Sequence, residues 1–305
     1  MRCARIALLV LICGTLAACG SSPTREHTRV GARAPSGGTQ ANGGDDFHDD
    51  VELPQSRRYR QQNDSTPDGA GIDIASLSEP VPRVEPRARY GNKSPYSMRG
   101  RTYRVLPTAA GYDERGIASY YGSKFHGYMT SDFEKYDMYG FSAASKVLPL
   151  PSYARVTNLE NGKSVIVRIN DRGPFAENRI IDLSYAAAVR IGIWPKGTGL
   201  VEVQGIDPAR WNREPELPPT VTAQTGGAPR LYLQVGAFGD PANAERLASR
   251  LRDQDVGSVR VVDARVGGRD LKRVQIGPLA DAEAADRVTE KMDAMGLPHA
   301  QVAVQ

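Results

Sequence analysis

The sequence YARVTNLENGKSVIVRINDRGPFAENRIIDLS occupies residues 153–184 and carries the clearest structural pattern in the chain. Within it, apolar residues recur at every second position, at Val165, Val167 and Ile169. That spacing is the period of a β-strand with one buried face. The dipeptide Asn161-Gly162 precedes this strand and predicts a hairpin turn, because both residue types tolerate positive φ. The stretch therefore predicts two antiparallel strands.

The second strand runs into the motif NDRGPF at residues 170–175. Gly173 and Pro174 are expected to stop the strand, which then ends at Asn170. Asp171 would therefore lie at the end of a rigid strand, where a carboxylate can face a groove and take part in chemistry. The alternative is a turn-capping aspartate, since Asp is common before such turns for purely local reasons.

The chain begins with a pattern typical of secreted proteins. Arg2 and Arg5 precede an apolar run over residues 6–16, and small residues then lead to Cys19. A basic start, a short apolar run and small residues predict a secretory signal over residues 1–18, which is too short for a stable membrane span. After its removal only Cys19 remains of three cysteines, so no intramolecular disulfide is expected.

The signal segment ends in L-A-A-C, which resembles the bacterial lipobox. That resemblance implies acylation of the Cys19 thiol and anchoring through the acyl chains. Gly20, in place of an aspartate after the cysteine, resembles the rule for sorting to the outer membrane. An ordinary signal peptide with a chance cysteine is the alternative.

Two segments have the composition of unfolded chain. Residues 19–89 are rich in Gly, Ser, Pro and charged residues and poor in aromatic ones. Such a segment cannot bury enough apolar surface to offset the entropy of ordering, so it is predicted to be a disordered tether. Residues 208–228 are rich in Pro, Thr and Gly and predict a linker between two domains.

Residues 90–207 contain short strand patterns separated by tight turns. A helical piece is predicted over residues 143–148, and a second helix is predicted to begin after Ser184 as its N-cap. Many short strands with one or two short helices predict a small closed β-barrel.

Residues 229–305 contain an internal repeat with an offset of 41 residues. Gln234-Val235-Gly236 corresponds to Gln275-Ile276-Gly277, and the match continues through an amphipathic helix pattern and a second strand pattern. Two strand–helix–strand halves predict a βαββαβ domain, a single sheet with both helices on one face. The other face of the sheet is then free to bind a ligand.

The motifs GIASYYGSKFHG, NDRGPF and NRIIDLSYAAAVRIGI, with the sequence between them, resemble the RlpA family of rare lipoprotein A. The C-terminal repeat resembles SPOR domains, which bind peptidoglycan strands stripped of their stem peptides. The resemblance implies a double-psi β-barrel, a mainly β fold, followed by the α+β SPOR domain. It also implies lytic transglycosylase activity on denuded glycan strands at the division septum, with 1,6-anhydro ends as products.

The resemblance further implies site residues. Asp171 matches the acidic position of the family motif and is expected to act as general acid and base, and Glu134 matches a loop glutamate expected to assist it. Arg172, Ser145 and His126 are expected to contact substrate in the barrel. The family commonly has histidine where this chain has Ser145, and serine can only form hydrogen bonds.

The C-terminal domain is expected to bind glycan through Gln234 and Gln275, whose amides suit sugar hydroxyls, and through Arg273. An exposed four-stranded sheet also occurs in RNA-binding domains, but the aromatic stacking platform is missing here, so nucleic acid is not an expected partner. The four histidines have no ligand spacing, and neither a metal nor another cofactor is expected.

Two functions from different classes fit the sequence. The first is an outer-membrane lipoprotein enzyme, facing the periplasm and enriched at the septum, with glycan strands, the membrane and division-site proteins as its partners. The second is a non-catalytic glycan-binding organiser of the cell wall, similar to expansins, which Ser145 favours. The net charge of +4 fits a polyanionic wall or membrane surface but identifies no partner.

Overall fold

The computed structural model describes residues 53, 55–61, 63–66, 73–211, 228–297 and 300–305. The predicted signal segment, Cys19 and most of the predicted linker lie outside these residues. In chain order the elements are α1 (Gln55–Arg58), β1 (Tyr96–Met98), β2 (Arg101–Tyr103), β3 (Asp113–Tyr121), β4 (Ser142–Ser145), β5 (Ser152–Asn158), β6 (Ser164–Asp171), β7 (Arg179–Ser184), α2 (Tyr185–Arg190), β8 (Thr198–Ile206), β9 (Leu231–Phe238), α3 (Pro241–Asp253), β10 (Val259–Val266), β11 (Arg269–Leu279), α4 (Ala282–Ala294) and β12 (Gln301–Val304). None of the helices among the described residues is long and apolar enough to cross a membrane.

Six strands close into a barrel in the order β3-β7-β4-β6-β5-β8. Two of the pairings are parallel, β3 with β7 and β4 with β6, and the others are antiparallel. The parallel pairs require the chain to cross over between sequence-distant strands, which sets this barrel apart from a simple meander. The predicted small closed barrel is confirmed.

The predicted hairpin of β5 and β6 forms one wall of the barrel. Its strands are antiparallel, with Val156 opposite Val165, and Gly162 takes a positive φ of 73° in the connecting turn. The alternating residues of β6 point into the core, where Val165, Val167 and Ile169 are 1% exposed or less. The strand extends one residue further than predicted, through Asp171.

The helical piece predicted over residues 143–148 is wrong, because residues 142–145 form strand β4. This strand lies between β6 and β7 and pairs with both of them. The two alanines favour helix when taken alone, but pairing on both edges satisfies the backbone of the segment, and tertiary context overrides a weak local propensity.

The predicted tether is ordered over part of its length, because residues 73–89 pack against the barrel. Ile74 is 9% exposed and belongs to the core cluster of the barrel. The Arg190 guanidinium donates hydrogen bonds to the carbonyls of Ile74 and Leu77. The Glu79 carboxylate accepts a hydrogen bond from the Ile166 amide at 2.8 Å. Order therefore begins before residue 90, where the composition predicts it to begin.

The C-terminal domain has the predicted strand–helix–strand repeat. Strands β10, β11, β9 and β12 form one antiparallel sheet in that order. Residues of α3 and α4 join the apolar side chains of the sheet in one buried cluster that includes Leu233, Ile276, Ala248, Leu251 and Met292. The helices therefore cover one face of the sheet, and the βαββαβ prediction is confirmed.

We expect Ile74→Ala to lower the free energy of unfolding of the barrel by about 2 kcal/mol, because the residue leaves a cavity where residues 73–89 join the core. The matched control is Val81→Ala, since Val81 is 70% exposed, and its effect should stay within about 0.5 kcal/mol. Chemical denaturation of the full chain measures both. Equal effects of the two changes would show that this segment does not belong to the folded barrel.

Candidate active site

A row of side chains crosses the outer face of the barrel wall. In the register of the strands, Ser119 of β3 pairs with Asp182 of β7, Asp182 pairs with Ala144 of β4, and Ala144 pairs with Asp171 of β6. Directly paired residues project from the same face of a sheet. Their chain neighbours Ala143 and Leu183 point the other way, into the core. The wall thus presents two aspartates on one face, on either side of an alanine.

This face forms the floor of an open cavity of about 610 Å³. Asp171, Ala144 and Asp182 all line it, together with residues 129–131 and Phe133 of the loop before β4. A volume of this size suits a ligand of several rings rather than a water molecule or an ion.

Aromatic side chains form part of the cavity wall. Phe133 is 48% exposed, adopts a positive φ of 69° and packs on Tyr90 with ring centroids 4.3 Å apart. Tyr96 and Phe175 line the cavity as well and lie edge to face, with centroids 6.5 Å apart. Flat apolar rings beside carboxylates make a surface suited to a ligand that has both apolar faces and hydroxyl groups, as sugars do.

Asp171 is held by three hydrogen bonds to a single oxygen. Its Oδ1 accepts from the Ser131 amide at 2.9 Å, the Ser131 hydroxyl at 2.5 Å and the Arg172 amide at 2.7 Å. Among the described residues, no hydrogen bond engages Oδ2, which leaves that atom available for a proton. Burial raises the pKa of Asp171 above its ordinary value, and the donors from Ser131 and Arg172 offset part of that rise.

Arg172 holds the loops beneath the cavity together. Its guanidinium donates to the carbonyls of Gly91, Ser145 and Leu148, at 2.7, 2.9 and 2.5 Å, and to Asn92 Oδ1 at 3.3 Å. Burial lowers its pKa to about 10. The side chain lines the cavity, so the predicted substrate contact remains a prediction, but the protein itself occupies its donors.

The structure does not place Glu134 in the cavity with Asp171. Its carboxylate forms a bidentate ion pair with Arg168, with Nη1–Oε2 at 2.5 Å and Nη2–Oε1 at 2.9 Å. Arg168 Nε also donates a hydrogen bond to Oε1 of Glu85 at 3.1 Å. Glu134 therefore ties the loop before β4 to strand β6.

Ser145 and His126 also lie outside the residues that line the cavity. Ser145 is 1% exposed, and its hydroxyl accepts hydrogen bonds from the amides of Val147 and Leu148 at 3.3 and 3.2 Å. The Nδ1 atom of His126 accepts from the Met138 amide at 3.1 Å. Both side chains order a loop in this structure, and the substrate contacts predicted for them remain predictions.

In the C-terminal domain, Gln234 and Gln275 are register partners and share the face of the sheet opposite the helices. Gln275 is fully buried, and its Oε1 accepts from Arg260 Nε at 3.0 Å and Nη2 at 2.7 Å. Its Nε2 is buried and has no acceptor among the described residues, and the same is true of Nε of Arg273. The Arg260 guanidinium lies 3.6 Å from the ring centroid of Tyr232. This face is polar, with donors left unpaired.

Sequence reasoning does not single out Asp182 or Ser131, although both line the cavity. The position of Asp182 just before a helix favours a structural role, although its place between the inward-facing Ile181 and Leu183 puts it on the outer face. Ser131 carries no sequence signal, because its contact with Asp171 spans 40 residues and depends on how the loop folds.

Asp171→Asn should stabilise the protein increasingly as pH rises. A carboxyl whose pKa is raised on folding costs free energy of folding when it ionises, so the wild type loses stability as pH rises through the folded pKa. An amide does not ionise, so the variant does not lose stability in this way. We expect the difference in Tm between the variant and the wild type to be larger at pH 8 than near the ordinary pKa of 3.8. Thermal unfolding at both pH values tests this, and a difference that shrinks with rising pH would contradict the assignment.

Comparison with known proteins agrees with this architecture. Residues 113–204 match a family model described as "Lytic transglycolase", and residues 227–303 match the SPOR domain model. The protein named endolytic peptidoglycan transglycosylase RlpA in Pseudomonas aeruginosa strain UCBPP-PA14 is 37% identical over 270 residues, which span 72% of this chain and 79% of that protein.

The protein of the same name in Vibrio cholerae serotype O1 is 49% identical over 149 residues, or 49% of this chain and 56% of that protein. The crystal structure of the RlpA SPOR domain from Pseudomonas aeruginosa covers 24% of this chain and 96% of its own, at 30% identity and a TM-score of 0.23. Because both domain models match and the likeness to the Pseudomonas aeruginosa protein covers 79% of that protein, the chain belongs to the RlpA family.

Proposed function

We propose that this protein is an endolytic peptidoglycan transglycosylase that cleaves glycan strands stripped of their stem peptides. Membership of the RlpA family and the barrel–SPOR architecture support this function. The observation that carries it at the level of chemistry is Asp171, a desolvated carboxyl with an open Oδ2 on the floor of a cavity large enough for several sugar rings.

The reaction needs proton transfer but no activated water. A carboxylic acid protonates the glycosidic oxygen, and the C6 hydroxyl of the same muramyl residue then attacks C1 and closes a 1,6-anhydro ring. A carboxylate takes the proton of that hydroxyl, so one group can serve in both steps. The raised pKa of Asp171 favours proton uptake by its carboxylate, which the second step requires, and lets the carboxyl donate a proton near neutral pH.

Glu134 acts in this proposal by positioning rather than by proton transfer. The Glu134 amide donates to Thr130 Oγ1, and the Glu134 carbonyl accepts from the Thr130 amide at 2.8 Å. The turn closed by these bonds carries Ser131, which holds Oδ1 of Asp171. The ion pair between Glu134 and Arg168 fixes this turn to β6. It thereby keeps Ser131 over the Asp171 carboxylate.

The SPOR domain supplies the glycan-binding face in this proposal. The unpaired donors of Gln275 and Arg273, next to the partly exposed Gln234, suit the hydroxyls and acetamido oxygens of a glycan strand. An unpaired buried donor is unfavourable in the free protein, so a ligand oxygen that reaches it contributes directly to binding.

The cellular setting is proposed from the N-terminal sequence and the family. Acylation of Cys19 would anchor the chain in the outer membrane on its periplasmic side, and binding of denuded strands would enrich it at the septum. Division-site proteins are further partners in this proposal.

Purified protein incubated with amidase-treated sacculi should release fragments with 1,6-anhydro ends. Asp171→Asn should lower that rate at least ~100-fold, because the variant cannot transfer a proton. Asp113→Asn is the control, since Asp113 is exposed at the start of β3 outside the cavity, and it should retain the rate. Mass spectrometry of the products measures both. Wild-type protein that binds the sacculi without releasing anhydro products would instead support the non-catalytic organiser.

Gln234→Ala in the full chain should weaken binding to amidase-treated sacculi roughly fivefold, which corresponds to the loss of about one net hydrogen bond. Gln254→Ala, at the exposed end of α3 away from the sheet, should leave binding unchanged. A pull-down titration measures the two affinities. Equal affinities for both variants would place the glycan elsewhere.

A further inference from the structure

A second carboxylate, Asp182, lies in the same cavity as Asp171. It projects from β7 on the other side of Ala144, and both aspartates line the cavity. Two strand spacings separate their Cα atoms, about 10 Å in total. A group bound over Ala144 would therefore meet a carboxyl on either side.

The hydrogen bonding of Asp182 is sparse for a desolvated carboxylate. Its Oδ1 accepts a hydrogen bond from the Ser119 hydroxyl. The oxygen of that hydroxyl in turn accepts a hydrogen bond from Nη1 of Arg179 at 3.2 Å. The Lys146 ammonium donates to the Arg179 carbonyl at 2.6 Å rather than to Asp182. Neither neighbouring cation donates a hydrogen bond to Asp182, although the charges of both favour its anion.

A purely structural role does not account for this arrangement. A partly buried carboxylate is unfavourable unless it is paired or well hydrogen-bonded, and structural acids on strands usually have such partners. A desolvated acid with few partners, open to a cavity that already holds a catalytic candidate, has the features of a functional group.

The two aspartates differ in how well their anions are stabilised. Asp171 receives two backbone amides and a hydroxyl on Oδ1, with the Arg172 charge beside it. Asp182 receives the single hydroxyl of Ser119; the charges of Arg179 and Lys146 favour its anion, and the charge of Asp171 opposes it. The hydrogen bonds therefore favour the anion at Asp171 more than at Asp182, which makes Asp182 the better-placed proton donor of the two.

We propose that Asp182 is a second catalytic residue of this site, the acid that protonates the glycosidic oxygen, while Asp171 is the base that receives the proton of the C6 hydroxyl. The inference rests on the proposed function. It assigns the two proton transfers, which a single carboxyl could perform, to two different residues. It also gives Ala144 a role, since a larger side chain there would separate the substrate from both acids.

The reaction balances without water. The Asp182 proton moves to the glycosidic oxygen, and the bond from that oxygen to C1 breaks. The C6 oxygen of the muramyl residue forms the new bond to C1 and releases its proton to the Asp171 carboxylate. The site resets when the proton on Asp171 exchanges through solvent and Asp182 is protonated again.

A substrate with a leaving group that needs no protonation separates the two roles. The probe is a short denuded glycan that carries 4-nitrophenol on C1 of its terminal muramyl residue, compared with amidase-treated sacculi. Asp182→Asn should lose ~10²–10⁴-fold on sacculi and stay within about tenfold of the wild type on the nitrophenyl glycan. Asp171→Asn should lose activity on both substrates, because the C6 hydroxyl still needs a base.

Glu202→Gln is the matched control, since Glu202 is a buried carboxylate paired with Arg115 and lies outside the cavity residues. It should retain activity on both substrates, and the Tm of every variant reports on folding. An Asp182→Asn protein that is folded and remains within threefold of the wild type on sacculi, or that loses activity equally on both substrates, overturns the inference. Wild-type protein that is inactive on both substrates overturns the proposed function itself.

Should Asp182→Asn fail to fold, Ser119→Ala provides a second test. Removing the Ser119 hydroxyl removes the donor that favours the Asp182 anion, so the alkaline limb of the pH–rate profile on sacculi should move to higher pH. The other ionisable groups around Asp182 are Asp171, Arg179, Lys146 and Tyr121, and this variant keeps them all. An unmoved alkaline limb contradicts the assignment of Asp182 as the acid.

Discussion

The placement of β4 between β6 and β7 is the constraint on which the site depends. Because Ala144 pairs with Asp171 on one edge and with Asp182 on the other, the register of a four-residue strand brings together two acids that are 11 residues apart in sequence. A shift of one residue in this register would turn Ala144 into the core and break the row. The fully buried Ala143 and Leu183, which must stay inside, oppose such a shift.

Around this wall, two arginines hold the loops in place. Arg172 joins the segments at Gly91, Ser145 and Leu148, and Arg168 joins Glu85 and Glu134 to β6. These contacts keep the loop of Ser131 over Asp171.

The sequence is sufficient to predict the features that depend on local patterns. The alternation in β6, the Asn161-Gly162 turn and the C-terminal repeat each predict their element correctly. The motif at residues 170–175 predicts a groove-facing carboxylate at Asp171, which the structure places in the cavity lining. Prediction fails where long-range contacts prevail. Two alanines favour helix, yet β4 is a strand because both of its edges are paired. Residues 73–89 have the composition of a tether, yet a few contacts to the barrel order them.

The proposed role of Asp182 depends on a register that no local pattern specifies, and the motif NDRGPF contains Asp171 alone. The most direct test of a glycan-cleaving site at this wall is a crystal structure of the inactive Asp182→Asn protein with a denuded glycan bound. The scissile glycosidic oxygen should lie within hydrogen-bond distance of the side chain at position 182, with the muramyl C6 hydroxyl facing Asp171. A glycan bound elsewhere on the barrel, with neither position in contact with the scissile bond, would contradict this account.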